Sequence, residues 1–244
     1  SAQEKDVGVY YLNPTTGQWA GVNENESFSP ASMLKVPIMT AILRTAEKQP
    51  VFLSTPVYYD GSFDDNALET IKPQDPVVAG HSYTVEQLLE KMIKYSDNNA
   101  THLLYALLPQ NQFDSIFTDL GLAAPTVNGP VDFMSPKTFT MFLRILYGST
   151  YLTRDDSEKA LSLMAYPDFP SGLQAGVPQG TVVAQKFGER EADTQSSELH
   201  DCGMIYYGGG NAYMLCVMTR GTDKAALASE IAGISKLVWE HVAQ

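Results

Sequence analysis

The 244-residue sequence is short of cysteine, histidine and basic charge, and each shortage closes a class of function. Only two cysteines occur, Cys202 and Cys216, and no Cys/His spacing has the pattern of a zinc site. The four histidines, His81, His102, His200 and His241, are too scattered to form a ligand set, so neither a metal nor a cofactor is expected. The 16 Lys and Arg residues face 28 Asp and Glu, and the net charge of −12 repels nucleic acid and anionic membrane alike. No apolar run approaches the ~20 residues that cross a bilayer. Neither a leading methionine nor a signal-like apolar segment is present, so the expectation is a mature or trimmed chain. Internal repeats and low-complexity tracts are also missing. What remains, 44% hydrophobic and 18% charged residues, is ordinary globular composition with enough chain for a real core.

The organisation is uneven along the chain. Val7–Trp19 alternates around Asn13-Pro14-Thr15-Thr16-Gly17 and reads as a hairpin. From Ser32 to about Tyr166 helical patterns dominate, the first with Met33, Val36, Ile38, Met39, Ala41, Ile42 and Leu43 as its apolar content. Further helices are expected over Thr84–Lys94, Asn98–Leu108, Gln112–Leu120, Pro136–Tyr147 and Asp155–Tyr166. Asn66–His81, polar and carrying Pro73 and Pro76, is expected as a loop. Strand-like runs return at Thr181–Ala184, ended by Lys186, and at His200–Tyr207 and Ala212–Thr219, which flank a Gly208-Gly209-Gly210-Asn211 turn. A long helix, Lys224–Val242, closes the chain. The expectation is an α/β chain of the α+β type. An antiparallel sheet drawn from both termini forms one lobe (1–30 and 172–244), and an all-helical lobe (31–171) is inserted between them. The final hairpin would bring Cys202 and Cys216 close. With register and facing unfixed, buried free thiols are expected, and a cross-strand disulfide is the alternative.

Three short strings carry the chemistry. Ser32-Met33-Leu34-Lys35 places a hydroxyl and an amine at i and i+3, one face of a helix. A serine hydroxyl is a poor nucleophile until a base stands beside it. Ser96-Asp97-Asn98 interrupts two helical stretches, where such side chains bond to backbone and cap the helix that follows. Lys186-Phe187-Gly188 sets a cation at a strand end, where backbone N–H groups can face a ligand. Each string also has a plain structural reading, as a helix cap or a solvated strand end. Their combination in this order is what counts.

The order resembles the S-x-x-K, S-D-N and K-T-G set of the class A β-lactamases and penicillin-binding proteins, and the resemblance covers nearly the whole chain. It implies the β-lactamase-like serine hydrolase fold. It further implies that Ser32 is the acylated nucleophile and Lys35 its proton acceptor. Ser96 would relay the proton to the leaving group, and Asn98 would hold the substrate amide and the Lys35 amine. Lys186 beside Gly188 would supply positive potential for a substrate carboxylate, and the backbone N–H groups of Ser32 and Glu189 would form the oxyanion hole. An extracytoplasmic location and a small-molecule or peptide substrate follow from the same resemblance, with a monomer expected.

Two departures stand out. The family's β-lactamases carry a deacylation glutamate after the S-D-N element, yet no Glu occurs from Asn99 to Ser135. Only Asp114, Asp119 and Asp132 are acidic there, and Asp132 is either a stand-in base or a loop residue. Phe187 replaces the family's Thr or Ser and cannot donate to a carboxylate. Arg190 could do so instead, or could pair with Glu189 or Glu191. A slowly deacylating serine hydrolase for peptidoglycan-like D-amino-acid peptides or β-lactams is therefore expected. The alternative is a non-catalytic relative that binds cell-wall fragments or a protein.

Overall fold

The computed structural model describes residues 6–165, 167–191 and 196–243. Positions 1–5, 192–195 and 244 of the expected α/β lobe lie outside them, as does Tyr166 at the end of an expected helix. The strands are β1 (Asp6–Leu12), β2 (Trp19–Val22), β3 (Pro56–Tyr59), β4 (His81–Thr84), β5 (Val183–Glu191), β6 (Ser197–Tyr207) and β7 (Asn211–Gly221). The helices are α1 (Lys35–Lys48), α2 (Val85–Lys94), α3 (Asn98–Leu107), α4 (Gln110–Asp119), α5 (Pro136–Tyr147), α6 (Arg154–Met164) and α7 (Lys224–Val242). The chain divides into two compact units, one of residues 1–33, 129–144 and 169–244, the other of 34–128 and 145–168. Residues 129–144, assigned to the helical lobe on sequence, cluster with the first unit.

The first unit is built on an antiparallel sheet of order β2-β1-β7-β6-β5. In β1 every second residue, Gly8, Tyr10 and Leu12, is buried, as a half-covered strand requires. By contrast, β6 and β7 are buried almost throughout, because their second face is also covered. Helix α7 packs on that hairpin. It buries Leu227, Ile231 and Ser235 at intervals of four residues, and Asp223 caps it by accepting from the Ala225 and Ala226 amides.

Two expectations are corrected here. Strand β5 does not end at Lys186 but continues to Glu191, paired with β6 along its whole length. Cys202 and Cys216 are not free thiols but a disulfide. The turn pairs Tyr207 with Asn211, and five steps back along the ladder the register sets Cys202 directly opposite Cys216. A hairpin fixes its register through its turn, and the turn could not be typed from composition alone.

The second unit is organised around α1, which is buried at every position from Lys35 to Leu43 and packs against α2, α3, α4 and α6. A helix apolar nearly all round belongs in a core. Pro37 is tolerated because it falls in the first turn, where its missing N–H has no intrahelical partner. Thr84 opens α2 with a capping box to Gln87. The pair β3–β4, which the sequence reading did not anticipate, forms a separate two-stranded sheet. Among the described residues no helix is long and apolar enough to cross a membrane.

Candidate active site

The Ser96-Asp97-Asn98 break is held by its middle residue. Fully buried Asp97 caps α3, its Oδ1 accepting from the backbone of Asn99 (2.8 Å) and Ala100 (3.1 Å). The same oxygen accepts from Asn66 Nδ2 at 2.8 Å, and Oδ2 accepts from the Val77 amide at 2.6 Å. Asn66 Oδ1 in turn accepts from the Asn98 backbone N–H at 2.8 Å. The 64–77 segment, expected as a plain loop, is therefore tied to the break from both sides. Ser96 is driven to φ +58°, a conformation disfavoured for any residue with a side chain.

That backbone turns three oxygens onto one amine. Lys35 Nζ donates to the Ser96 carbonyl at 2.7 Å and to Asn98 Oδ1 at 2.5 Å, and lies 3.1 Å from Ser96 Oγ. Lys35 is only 2% exposed, so these partners replace water around a group that is costly to bury. Two of the three partners are obligate acceptors, whereas a hydroxyl donates as readily as it accepts. The nest therefore accommodates both an ammonium and a neutral amine. Asn98 Nδ2 donates in turn to Glu69 Oε1, a carboxylate that no motif marks.

In the first unit, Ser32 lies in a 3-10 turn, Ala31–Leu34, and is partly exposed. The expected helix thus begins as a tighter turn, and the backbone stays helical through Leu34 (φ −59°, ψ −15°) into α1. Ala31 immediately before Ser32 has φ +46°, a second strained residue at a motif. The turn is held by the Met33 amide donating to Pro30 O at 2.9 Å. Behind it, His200 donates from Nε2 to Ser29 O at 2.9 Å and accepts at Nδ1 from the Thr219 amide at 3.1 Å. These partners define the neutral tautomer, and burial pushes the His200 pKa down to about 4. Gly188 of β5 completes the support. A Cβ there would meet Pro30 O at 2.8 Å and Met33 Cγ at 3.0 Å, so only glycine lets β5 run against the turn carrying Ser32.

The remaining sequence candidates have varied fates. Lys186 is fully buried, its Nζ donating to the Phe187 carbonyl at 3.0 Å and lying 4.2 Å from the Phe187 ring centroid. Phe187 is a core residue, stacked on Phe169 with centroids 4.5 Å apart. The Glu189 carboxylate and that of Glu191 both pair with Lys224, at 2.8 and 2.6 Å. Arg190 instead lies 3.9 Å from Asp132. Asp132 also receives Arg220 at 2.6 Å, and that guanidinium is shared with Glu198 and Asp6. Asp132 is thus engaged in an ion-pair cluster with Arg190 and Arg220.

The profile of the beta-lactamase enzyme family matches residues 1–242. The chain belongs to the beta-lactamase enzyme family. The beta-lactamase of Streptomyces albus G is 26% identical over 238 residues, which span 90% of this chain and 74% of that one. Among solved structures, TLA-3 extended-spectrum beta-lactamase has a TM-score of 0.85 at 18% identity, covering 100% of this chain and 95% of its own. A mutant of PBP-A in an acyl-enzyme complex with penicillin G has a TM-score of 0.81 at 22% identity, with 97% and 90% covered. Likeness at such identities establishes the β-lactamase fold. Together with the family match it makes the chain a β-lactamase-family serine hydrolase. For this hydrolase, sequence reasoning found the three strings but missed Glu69, Asn66 and the support from His200. The first two lie about thirty residues before the break they serve, and no spacing rule links them to it.

Proposed function

We propose that the chain is a penicillin-recognising serine acyl-enzyme hydrolase that acylates at Ser32 and deacylates slowly. Its substrates in this reading are peptidoglycan-like D-amino-acid peptides and β-lactams. The observation that carries it is the Lys35 nest: a buried amine bonded to Ser96 O, Ser96 Oγ and Asn98 Oδ1. A neutral Lys35 takes the Ser32 proton as Oγ attacks the acyl carbon, and the C–N bond breaks as Ser96 passes a proton to the leaving nitrogen. The negative carbonyl oxygen is met by the backbone N–H groups of Ser32 and Glu189, on segments that Gly188 lets approach closely. Asn98 Oδ1 keeps the amine oriented, and Asn98 Nδ2 reaches substrate by exchanging its 3.3 Å bond to Asp65 O. An open groove of about 430 Å³ beside it, lined by Asp65, Thr101, His102 and Tyr105, gives the substrate room. Lys186 contributes potential from a buried position.

Slow deacylation is supported by two facts. No Glu lies between Asn99 and Ser135, and Asp132 is occupied by Arg220 and Arg190. General-base assistance is worth ~10²–10⁴-fold, so its loss lengthens the life of the adduct by a comparable factor. The disulfide supports an oxidising, extracytoplasmic setting.

Intact-mass measurement after mixing with benzylpenicillin tests the whole reading. The expected result is one adduct per chain that outlasts its own formation, and none in Ser32→Ala. Undiminished labelling of Ser32→Ala would overturn the nucleophile. Rapid loss of penicillin with no accumulating adduct would overturn the slow step. Failure of every β-lactam and ester to acylate would favour the non-catalytic binder.

A further inference from the structure

Glu69 reaches the Lys35 nest from a turn that follows Asp64 and Asp65, and it does so through one amide. Asn98 Nδ2 donates to Glu69 Oε1 and, at 3.3 Å, to the carbonyl of Asp65. The other end of that amide, Oδ1, accepts from Lys35 Nζ at 2.5 Å. A carboxylate and an amine thus grip opposite ends of the same side chain.

We propose that Glu69 is a positioning residue for Lys35, acting by locking the Asn98 amide in one of its two orientations. The reasoning rests on the acyl-enzyme reading above only in giving Lys35 its role as base. An Asn side chain has nearly the same shape after a half-turn about χ2, so shape alone does not choose between the two states. Charge does. Reversed, the amide would set its oxygen against the Glu69 carboxylate, which repels, and its NH2 group against the Lys35 amine, whose hydrogens it would oppose and whose lone pair, when neutral, already faces Ser96 Oγ. With Glu69 in place, the orientation that presents Oδ1 to Lys35 is favoured from both ends. Without it, the far end keeps only the longer contact to Asp65 O.

The turn is built to hold Glu69 there. The Glu69 amide donates to Asn66 O at 3.2 Å, and Lys72 Nζ donates to the carbonyls of Asn66 and Ala67, each at 2.8 Å. Asn66 is anchored to Asp97 and to the Asn98 backbone, so the carboxylate and the amide it grips hang from one framework. Glu69 is partly buried, which strengthens a charge-assisted bond relative to the same contact in water. A hydrogen bond to a charged group is worth about 1.5–3 kcal/mol, or roughly ten- to a hundredfold in a rate that depends on it.

The test compares wild type with Glu69→Ala and Glu69→Gln, using two readouts. The first is the rate of adduct formation with benzylpenicillin. The second is the side-chain amide resonance of Asn98 in ¹H–¹⁵N spectra of the free protein, assigned with Asn98→Asp. Glu69→Ala should acylate ten- to a hundredfold more slowly and move the Asn98 amide resonance upfield, with its melting temperature nearly unchanged. Glu69→Gln, which still presents an acceptor oxygen, should recover most of the rate and of the resonance position; a merely structural role for the turn would not show that rescue. An Asn98 resonance that ignores Glu69→Ala would overturn the proposal, as would an unchanged acylation rate. If wild type forms no adduct, the acyl-enzyme reading fails while the Asn98 resonance still decides the role of Glu69.

Discussion

His200 donates from Nε2 to the carbonyl of Ser29 at 2.9 Å, three residues before Ser32, from a fully buried imidazole. The bond ties β6 to the chain leading into the Ser32 turn, and the Phe28 ring packs edge-on against the same imidazole, with centroids 5.4 Å apart.

Because burial lowers the His200 pKa from 6.5 to about 4, the unfolded chain takes up this proton first as pH falls. The stability from the neutral imidazole is therefore complete above pH 6.5 and is lost on the way down to pH 4, up to ~3 kcal/mol. The stability advantage of wild type over His200→Gln should shrink by that amount between pH 7 and pH 4 in denaturant unfolding. A gap that does not change with pH would refute the assignment.

Asp201 works in the opposite sense. Burial raises its pKa from 3.8 to about 7, although the Leu173 amide at 2.8 Å and the charge of Lys186 hold it down. Here the folded state binds the proton more tightly, so the stability is present below pH 3.8 and disappears as pH rises through 7. Asp201→Asn should gain up to ~4 kcal/mol on wild type between pH 4 and pH 8. Unfolding curves at the two pH values decide it, and parallel pH dependence of the two proteins would rule it out.

Gly188→Ala should damage both stability and acylation. Its φ is not in the left-handed region, so the effect is purely steric: the new methyl meets Pro30 O and Met33 Cγ. Overpacking of this kind costs about 1–3 kcal/mol, and relief requires moving the Ser32 turn. A lowered melting temperature with slower adduct formation is expected. Acylation at the wild-type rate would show that Ser32 does not depend on β5.

The Cys202–Cys216 bridge closes a loop with a sequence separation of 14, which predicts a contribution of ~3 kcal/mol from the constrained unfolded chain. Reduction should lower the unfolding midpoint accordingly, and thiol titration of denatured, unreduced protein should find none. Two titratable thiols in that state would disprove the bond.

Much of this molecule was legible before any tertiary structure. Helical spacing marked α2, α5 and α7, because an amphipathic face repeats every 3.6 residues whatever it packs on. The hairpin of β6 and β7 was announced by its glycines; Gly209 and Gly210 adopt positive φ that other residues resist. Ser32, Lys35, Ser96 and Asn98 stand in short local strings that the sequence displays, and their expected roles came from the family resemblance of those strings in order. What the strings could not supply was register and partnership. A one-residue slip would have separated Cys202 from Cys216, and it was the ladder from Tyr207–Asn211 that paired them. Asp132 and Arg190 lie far apart in sequence, and folding set them, with Arg220, into one ion-pair cluster. Glu69, 29 residues before Asn98, acquires a role only when the 64–77 turn docks on Asp97. Local chemistry is written in neighbouring residues, but the choice of partner for a buried charge is made by the whole chain as it packs.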